Sequence, residues 1–191
     1  MCGDANEDAL KIEGADFLRA HGDTWIARQA SKFSVLNVHA REIPVPAARI
    51  FPKLGDQELL SPNRFYKLLL AARAAAGRIF GWDRGMKWHG AEPIEVGKHY
   101  AFFLIEHVNV ARELSMSVEN RLTGAVMGWV LEESTGGTTC RTTVFNVTCA
   151  NFTGWRGRFY WRVIRPFHDA LIEDSLKSLA RRMMRQLQPA D

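Results

Sequence analysis

Strands dominate this chain from Tyr100 to Asn151. Within that segment Leu114, Met116 and Val118 alternate with Ser115, Ser117 and Glu119, the period-two pattern of a strand buried on one face. Glu119 to Gly124 reads as a turn and Ala125 to Glu132 as a strand. Gly136 and Gly137 give a two-residue hairpin signal, and Thr138 to Cys149 is a further strand rich in Thr and Val. Hairpin-linked strands make an antiparallel meander, and such a sheet buries one face. A symmetric turn would pair Glu119 with Gly124, Met116 with Met127 and Leu114 with Trp129, placing the last four on one face.

The end of the chain is helical. From Phe167 onward Leu171, Leu176, Leu179, Met183 and Leu187 form an apolar stripe opposite Lys177, Arg181 and Arg185. The stripe continues backwards through Val163, Phe159 and Trp155, which predicts a helix starting near Gly154 with Pro166 inside it. An interior proline removes a hydrogen bond and clashes with the carbonyl four residues back, here that of Arg162, so a kink is expected. The rival is a helix that begins at Pro166 after a strand; helical spacing favours the first.

Upstream, Ser31 to Arg41 reads as a strand ended by Pro44 and Pro46, and Ala47 to Leu54 as a short helix. Phe65, Leu68, Leu69, Ala72, Ala75, Ala76 and Ile79 mark a second helix, with Ser61 as N-cap, Pro62 at its first position and Gly81 as its stop. Trp82 to Gly97 is a loop, either pinned by Trp82 and Trp88 or acting as a lid. Residues 1–32 hold only weak helical stretches and read as an N-terminal extension to a domain spanning 33–191. The expected class is α+β: two helices between the first strand and the rest, and a long helix across an antiparallel sheet. The wedge between helix and sheet is filled by side chains or holds a ligand.

With 191 residues, 47% hydrophobic and 24% charged, the chain can build one core without disulfide or metal. Three cysteines, Cys2, Cys140 and Cys149, make a poor disulfide framework, and reduced thiols are expected. The six histidines show no ligand spacing, and Gly-x-Ser-x-Gly, His-Glu-x-x-His, Cys-x-x-Cys and phosphate-loop motifs are absent, so neither metal nor cofactor is expected. Arg156, Arg158, Arg162 and Arg165 are spread around the helix, and with a net charge of only +4 no nucleic-acid partner is expected. The longest apolar stretch in the strands, Ala101 to Ile105, is far too short for a membrane span. No basic region followed by an apolar core opens the sequence, so a cytoplasmic protein is expected. Oligomeric state has no signal.

The segment Gly157-Arg158-Phe159-Tyr160-Trp161, with Pro166-Phe167-His168 and Leu171-Ile172, resembles a domain-of-unknown-function branch of the START-like, helix-grip (SRPBCC) superfamily. TTVFNVTCAN before it fits as well, and RFYKLLLAARAAAGRIFGWDRG does so more loosely. The resemblance covers Phe33 to Leu187. It implies a curved sheet gripping the helix, and a cavity. Characterised members bind lipids, sterols, hormones or polyketides, and some are cyclases or hydrolases. Fold is implied more firmly than function.

The pocket walls expected from this reading are Leu114, Met116, Met127 and Trp129 from the sheet and Phe159, Val163, Phe167 and His168 from the helix. His168 is the candidate polar contact or acid–base group, and Glu106 the second catalytic candidate. Glu106 and His107 are adjacent in a strand, so alternation sends them to opposite faces, and whichever faces in would pair with Arg112 or Arg141. The first functional reading is binding of a small apolar molecule. The alternatives are a cyclase- or hydrolase-like enzyme and an interaction protein with a filled core.

Overall fold

The structure, a computed structural model, describes residues 10–56, 59, 63–83, 87–90, 92–136 and 139–186. Its strands are β1 (Leu10–Ile12), β2 (Val35–Ile43), β3 (His99–Tyr100), β4 (Phe103–Asn109), β5 (Glu113–Glu119), β6 (Thr123–Gly136) and β7 (Thr139–Phe152). Its helices are α1 (Gly14–His21), α2 (Trp25–Ala30), α3 (Ala47–Ile50), α4 (Arg64–Ile79) and α5 (Gly154–Arg185), with a 3-10 turn at Phe51–Gly55. The strands form one curved antiparallel sheet in the order β1-β2-β7-β6-β5-β4-β3. The α+β helix-grip arrangement of sheet and long C-terminal helix is therefore present.

Register follows the alternation. Glu119 pairs with Gly124, Met116 with Met127 and Leu114 with Trp129. Gly136 pairs with Thr139; Gly137, the second glycine of the hairpin signal, lies outside the described residues. Ser61 and Pro62 also lie outside them; Asn63 caps α4 by accepting from the Tyr66 N–H at 3.2 Å. Gly81, at φ 67°, takes the left-handed conformation that ends the helix.

The two sheet faces bury separate cores. On one, Leu114, Met116, Met127, Trp129, Leu131 and Val144 pack under Ile172, Leu176, Leu179 and Met183 of α5. On the other, Val38, Ala40, Val126, Val130, Phe145 and Val147 pack under Phe17 of α1 and Ile26 of α2. Residues 10–30 thus supply an edge strand and the helices that cover the outer face. Gly128 makes the contact close: a Cβ there would lie 2.6 Å from the Ile26 side chain.

α5 begins at Gly154 and runs through Pro166 as one helix, so a strand before Pro166 is ruled out. Its phase differs from the expected stripe. At about 100° per residue, steps of four drift by about 40° each, and Val163 and Phe167 lie roughly 160–200° around the helix from Met183. They point away from the sheet: Phe159 is 63% exposed and Phe167 40%. The buried or half-buried residues on this part of α5 are Gly157, Tyr160, Trp161, Ile164, His168 and Asp169.

Strand β4 also departs from simple alternation. Its register with β5 shifts between Ile105 and His107, a bulge at Glu106. Glu106 accepts from the Ser117 hydroxyl at 2.6 Å, and His107 stacks on Trp25 and lies 3.8 Å from Glu113. Both therefore meet groups on the outer face, and the expected arginine partners are engaged elsewhere, Arg112 with Asp23 and Arg141 with Glu42.

Glu113 anchors α2 to β5. Its carboxylate is buried and accepts from the N–H of Trp25 (2.9 Å), the N–H of Ile26 (2.8 Å) and the Ser115 hydroxyl (3.0 Å). These are the donors that a helix start leaves without intrahelical partners, at the positive end of its dipole. Glu113→Gln turns an amide donor toward a backbone donor and should cost about 2–3 kcal/mol in urea denaturation. A loss below about 0.5 kcal/mol, the level of an ordinary surface substitution, would contradict this anchoring role.

Candidate functional site beneath helix α5

Five strands place one residue each in a row across the α5 face of the sheet: Lys11, His39, Asn146, Trp129 and Leu114. The next row holds Asn37, Thr148, Met127 and Met116. The sheet wall expected from the sequence is therefore apolar on its β5–β6 side and polar on its β2–β7 side.

The polar side is buried, His39 and Asn146 each being 1% exposed and Trp129 2%. Several of its polar atoms have no hydrogen-bond partner among the described residues: Trp129 Nε1, Asn146 Nδ2 and Oδ1, Thr148 Oγ1, Arg41 Nη1 and His39 Nδ1. A buried unpaired polar group costs about 1–3 kcal/mol, and native proteins hold few of them. Here they share one surface. Arg41 lies on the same face of β2 as His39, opposite Val144.

Asp169 of α5 closes over this surface. Its Oδ1 accepts from Asn37 Nδ2 at 2.7 Å and lies 3.4 Å from His39 Nε2, while its Oδ2 takes the Lys11 ammonium at 2.7 Å. Burial pushes the Asp169 carboxyl up, but His168, Lys11 and Asn37 outweigh it and hold it well below the usual carboxylate range. Burial lowers the His39 imidazole below its ordinary value despite Asp169 beside it. A neutral His39 that donates from Nε2 to Asp169 leaves Nδ1 as a buried acceptor, with Glu173 Oε1 4.0 Å away on α5.

One turn and more toward the start of α5, the same face of the sheet opens into a cleft. It has a volume of about 490 Å³ and is lined by Ser34, Val35, Phe152, Gly154, Arg158 and Trp161. Val35 and Phe152 share the strand face of Asn37 and Thr148, two and four residues along their strands. Trp161 stacks on Phe152 at 5.0 Å and meets the His168 ring edge-on at 5.4 Å. His168 Nδ1 is buried, lies 3.8 Å from Asp169 Oδ1 and has no hydrogen-bond partner among the described residues.

The structure thus separates the sequence-derived candidates. Leu114, Met116, Met127 and Trp129 form one wall, and His168 lies on the sheet side of α5 next to Asp169. Phe159, Val163 and Phe167 lie on the exposed side of α5, and Glu106 on the outer face of the sheet. Asn37, His39, Asn146, Thr148 and Asp169 were not singled out by the sequence, because a polar residue in a strand normally reads as solvent-facing. Arg158 and Trp161 were present only as parts of a motif. One set among the described residues, His89, Glu92 and His99, has the composition and proximity to hold a metal ion. Cys140 and Cys149 are free thiols, and burial pushes Cys149 up to about 11. No helix among the described residues is long and apolar enough to cross a membrane.

A family model described as "Protein of unknown function (DUF2867)" matches residues 30–175. No curated protein matches the chain. Among similar solved structures, DynU16, a protein in the dynemicin biosynthetic locus, is 16% identical with a TM-score of 0.40, over 79% of this chain and 48% of its own. The chain therefore spans about half of DynU16's length. A protein from Rhodobacter sphaeroides is 12% identical with a TM-score of 0.46, over 80% of this chain and 93% of its own. CalU16 from Micromonospora echinospora is 13% identical with a TM-score of 0.34, over 79% and 84%. These similarities are too remote to carry function.

The site's two shifted groups set its pH response. A depressed His39 binds its proton more readily unfolded than folded, so its contribution is whole above about pH 6.5 and declines as pH falls below that. Asp169, also depressed, contributes fully above about pH 4 and loses its contribution only in stronger acid. Unfolding free energy should fall between pH 7.5 and 5.5, and His39→Gln should flatten that fall while leaving the loss below pH 4. Equal slopes for the two proteins between pH 7.5 and 5.5 would contradict the assignment to His39.

Proposed function

We propose that this chain, which belongs to the DUF2867 family of proteins of unknown function, binds a small organic molecule between the sheet and α5. The ligand has an apolar body and an oxygen-bearing end. The observation that carries this reading is the shared buried surface of unpaired polar atoms on Arg41, Trp129, Asn146 and Thr148. Three side chains there offer N–H donors, Thr148 offers a hydroxyl, and the Asn146 oxygen and His39 Nδ1 accept. That set suits a carbonyl, carboxylate or phenolic group. Leu114, Met116 and Met127 supply an apolar flank whose methionines adapt to shape. Entry is through the cleft beside Trp161 and Phe152, and His168 stands between that cleft and Asp169.

A second reading is acid–base chemistry on the same ligand. The Asp169 carboxylate flanked by His39 and His168 favours it. Glu106 has no part in it, being on the outer face. A binding protein returns its ligand unchanged, whereas an enzyme converts it, and mass analysis of the recovered molecule separates the two.

Asn146→Leu tests the central residue. An apolar side chain of similar size removes two unpaired buried atoms, so the variant should gain about 1–2 kcal/mol of stability. It should at the same time lose the ligand peak seen by native mass spectrometry of wild-type protein. Trp129→Phe, which keeps the ring and removes the N–H, should weaken ligand retention with little structural change. Retention unchanged in both variants would overturn the proposal.

A further inference from the structure

The loop before β3 brings together three side chains that sequence spacing leaves apart. His89, Glu92 and His99 each present a ligand atom, and these atoms lie within 4.8 Å of one another. Their backbone is held in place. The His89 N–H donates to the Ala101 carbonyl at 2.8 Å, the His99 N–H donates to Glu92 Oε2 at 3.2 Å, and the Gly97 N–H donates to the Ile105 carbonyl at 2.9 Å. Gly97 turns the chain at φ 84°, a conformation that favours glycine, and so returns His99 alongside His89. The two imidazoles stack at 3.8 Å with planes 8° apart, and His89 Nδ1 lies 3.5 Å from Glu92 Oε1.

We propose that His89, Glu92 and His99 form a binding site for a divalent transition-metal cation of the zinc type. Two imidazoles and one carboxylate, without thiolate, are a borderline donor set. It suits Zn²⁺, Co²⁺, Ni²⁺ or Fe²⁺ better than Ca²⁺ or Mg²⁺, which take all-oxygen shells, or Cu⁺, which takes sulfur. Ligand atoms in a tetrahedral zinc site stand about 3.3 Å apart, so closing the site draws the present atoms together by up to about 1.5 Å and turns the two stacked rings out of parallel until their in-plane lone pairs converge. The carboxylate brings the charge to one unit above neutrality. Three protein ligands leave a coordination position open to water or to an exogenous anion. The three residues are half-buried at the sheet edge, with Trp88 packed against Phe102 beside them, so the cation would tie His89 and Glu92 to β3 through His99.

The site lies on a different part of the fold from the polar row under α5, so the two proposals stand or fall separately. The test uses the full chain without a histidine tag, stripped with EDTA and titrated with Zn²⁺ by calorimetry and with Co²⁺ by visible absorption. Saturation at one equivalent is expected, with Zn²⁺ raising the melting temperature. His99→Ala and Glu92→Gln should each weaken binding about tenfold or more, a loss typical of disturbed metal sites. Both should retain the wild-type circular dichroism spectrum. An absence of saturable binding by the wild-type protein overturns the proposal, as does binding that survives unchanged in either correctly folded variant.

Discussion

The Asp169 carboxylate ties α5 to the paired edge strands β1 and β2. It takes the ammonium of Lys11 on β1 and the amide of Asn37 on β2, and it faces His39 on β2 from the middle of α5. It therefore fixes where the long helix crosses the sheet. Beyond Asp169 toward the C-terminus, Ile172, Leu176, Leu179 and Met183 close the apolar core. Before it, Trp161 and Arg158 stand over an open cleft. One ionic anchor separates a filled half of the helix–sheet interface from an accessible half. An anchor in the middle suits such a division: apolar packing alone would draw the whole helix down onto the sheet.

The polar row beneath this anchor runs against the usual economy of a core. Asn146 and Thr148 take inward positions of β7, where apolar residues would pack at lower cost. Their neighbours Phe145, Val147 and Cys149 face the outer core under α1 and α2, so β7 is buried on both sides. A strand that places its polar residues toward the helix gives up stability there. Places where a sequence breaks the burial rule without local compensation are where function is expected. The compensation for the whole is found elsewhere, in the continuous β2–β7–β6–β5 ladder and in the Glu113 carboxylate that holds α2 against β5.

Much of this architecture is legible in the residues. Leu114 and Met116 alternate cleanly, and the turn after Glu119 is symmetric, so the partnering of β5 with β6 follows to the residue. The start of α5 near Gly154 also follows, since helical spacing outweighs the proline at 166. The phase of α5 is not legible from the same stripe. Trp155, Phe159, Val163 and Phe167 recur every fourth residue, and over four turns that step carries them off the buried side. The bulge at Glu106 has no signal in FFLIEHVN, and it redirects Glu106 and His107 together. The polar row is hidden for a different reason: in TTVFNVTC, apolar and polar residues alternate, and only the neighbouring layers decide which set turns inward. Likewise His89 and His99 are ten positions apart, and only the turn at Gly97 makes them neighbours.

If the buried polar surface under α5 is reached from the cleft, solvent meets the indole N–H of Trp129. Its exchange with deuterated water can be followed by nuclear magnetic resonance, with Trp129→Phe identifying the signal. A surface reached through the cleft predicts exchange far faster than that of the backbone amides of β5 and β6 around it, and slowed when ligand is bound. Exchange of the Trp129 indole only at the rate of global unfolding, together with those amides, would show a closed core with no route in from the cleft.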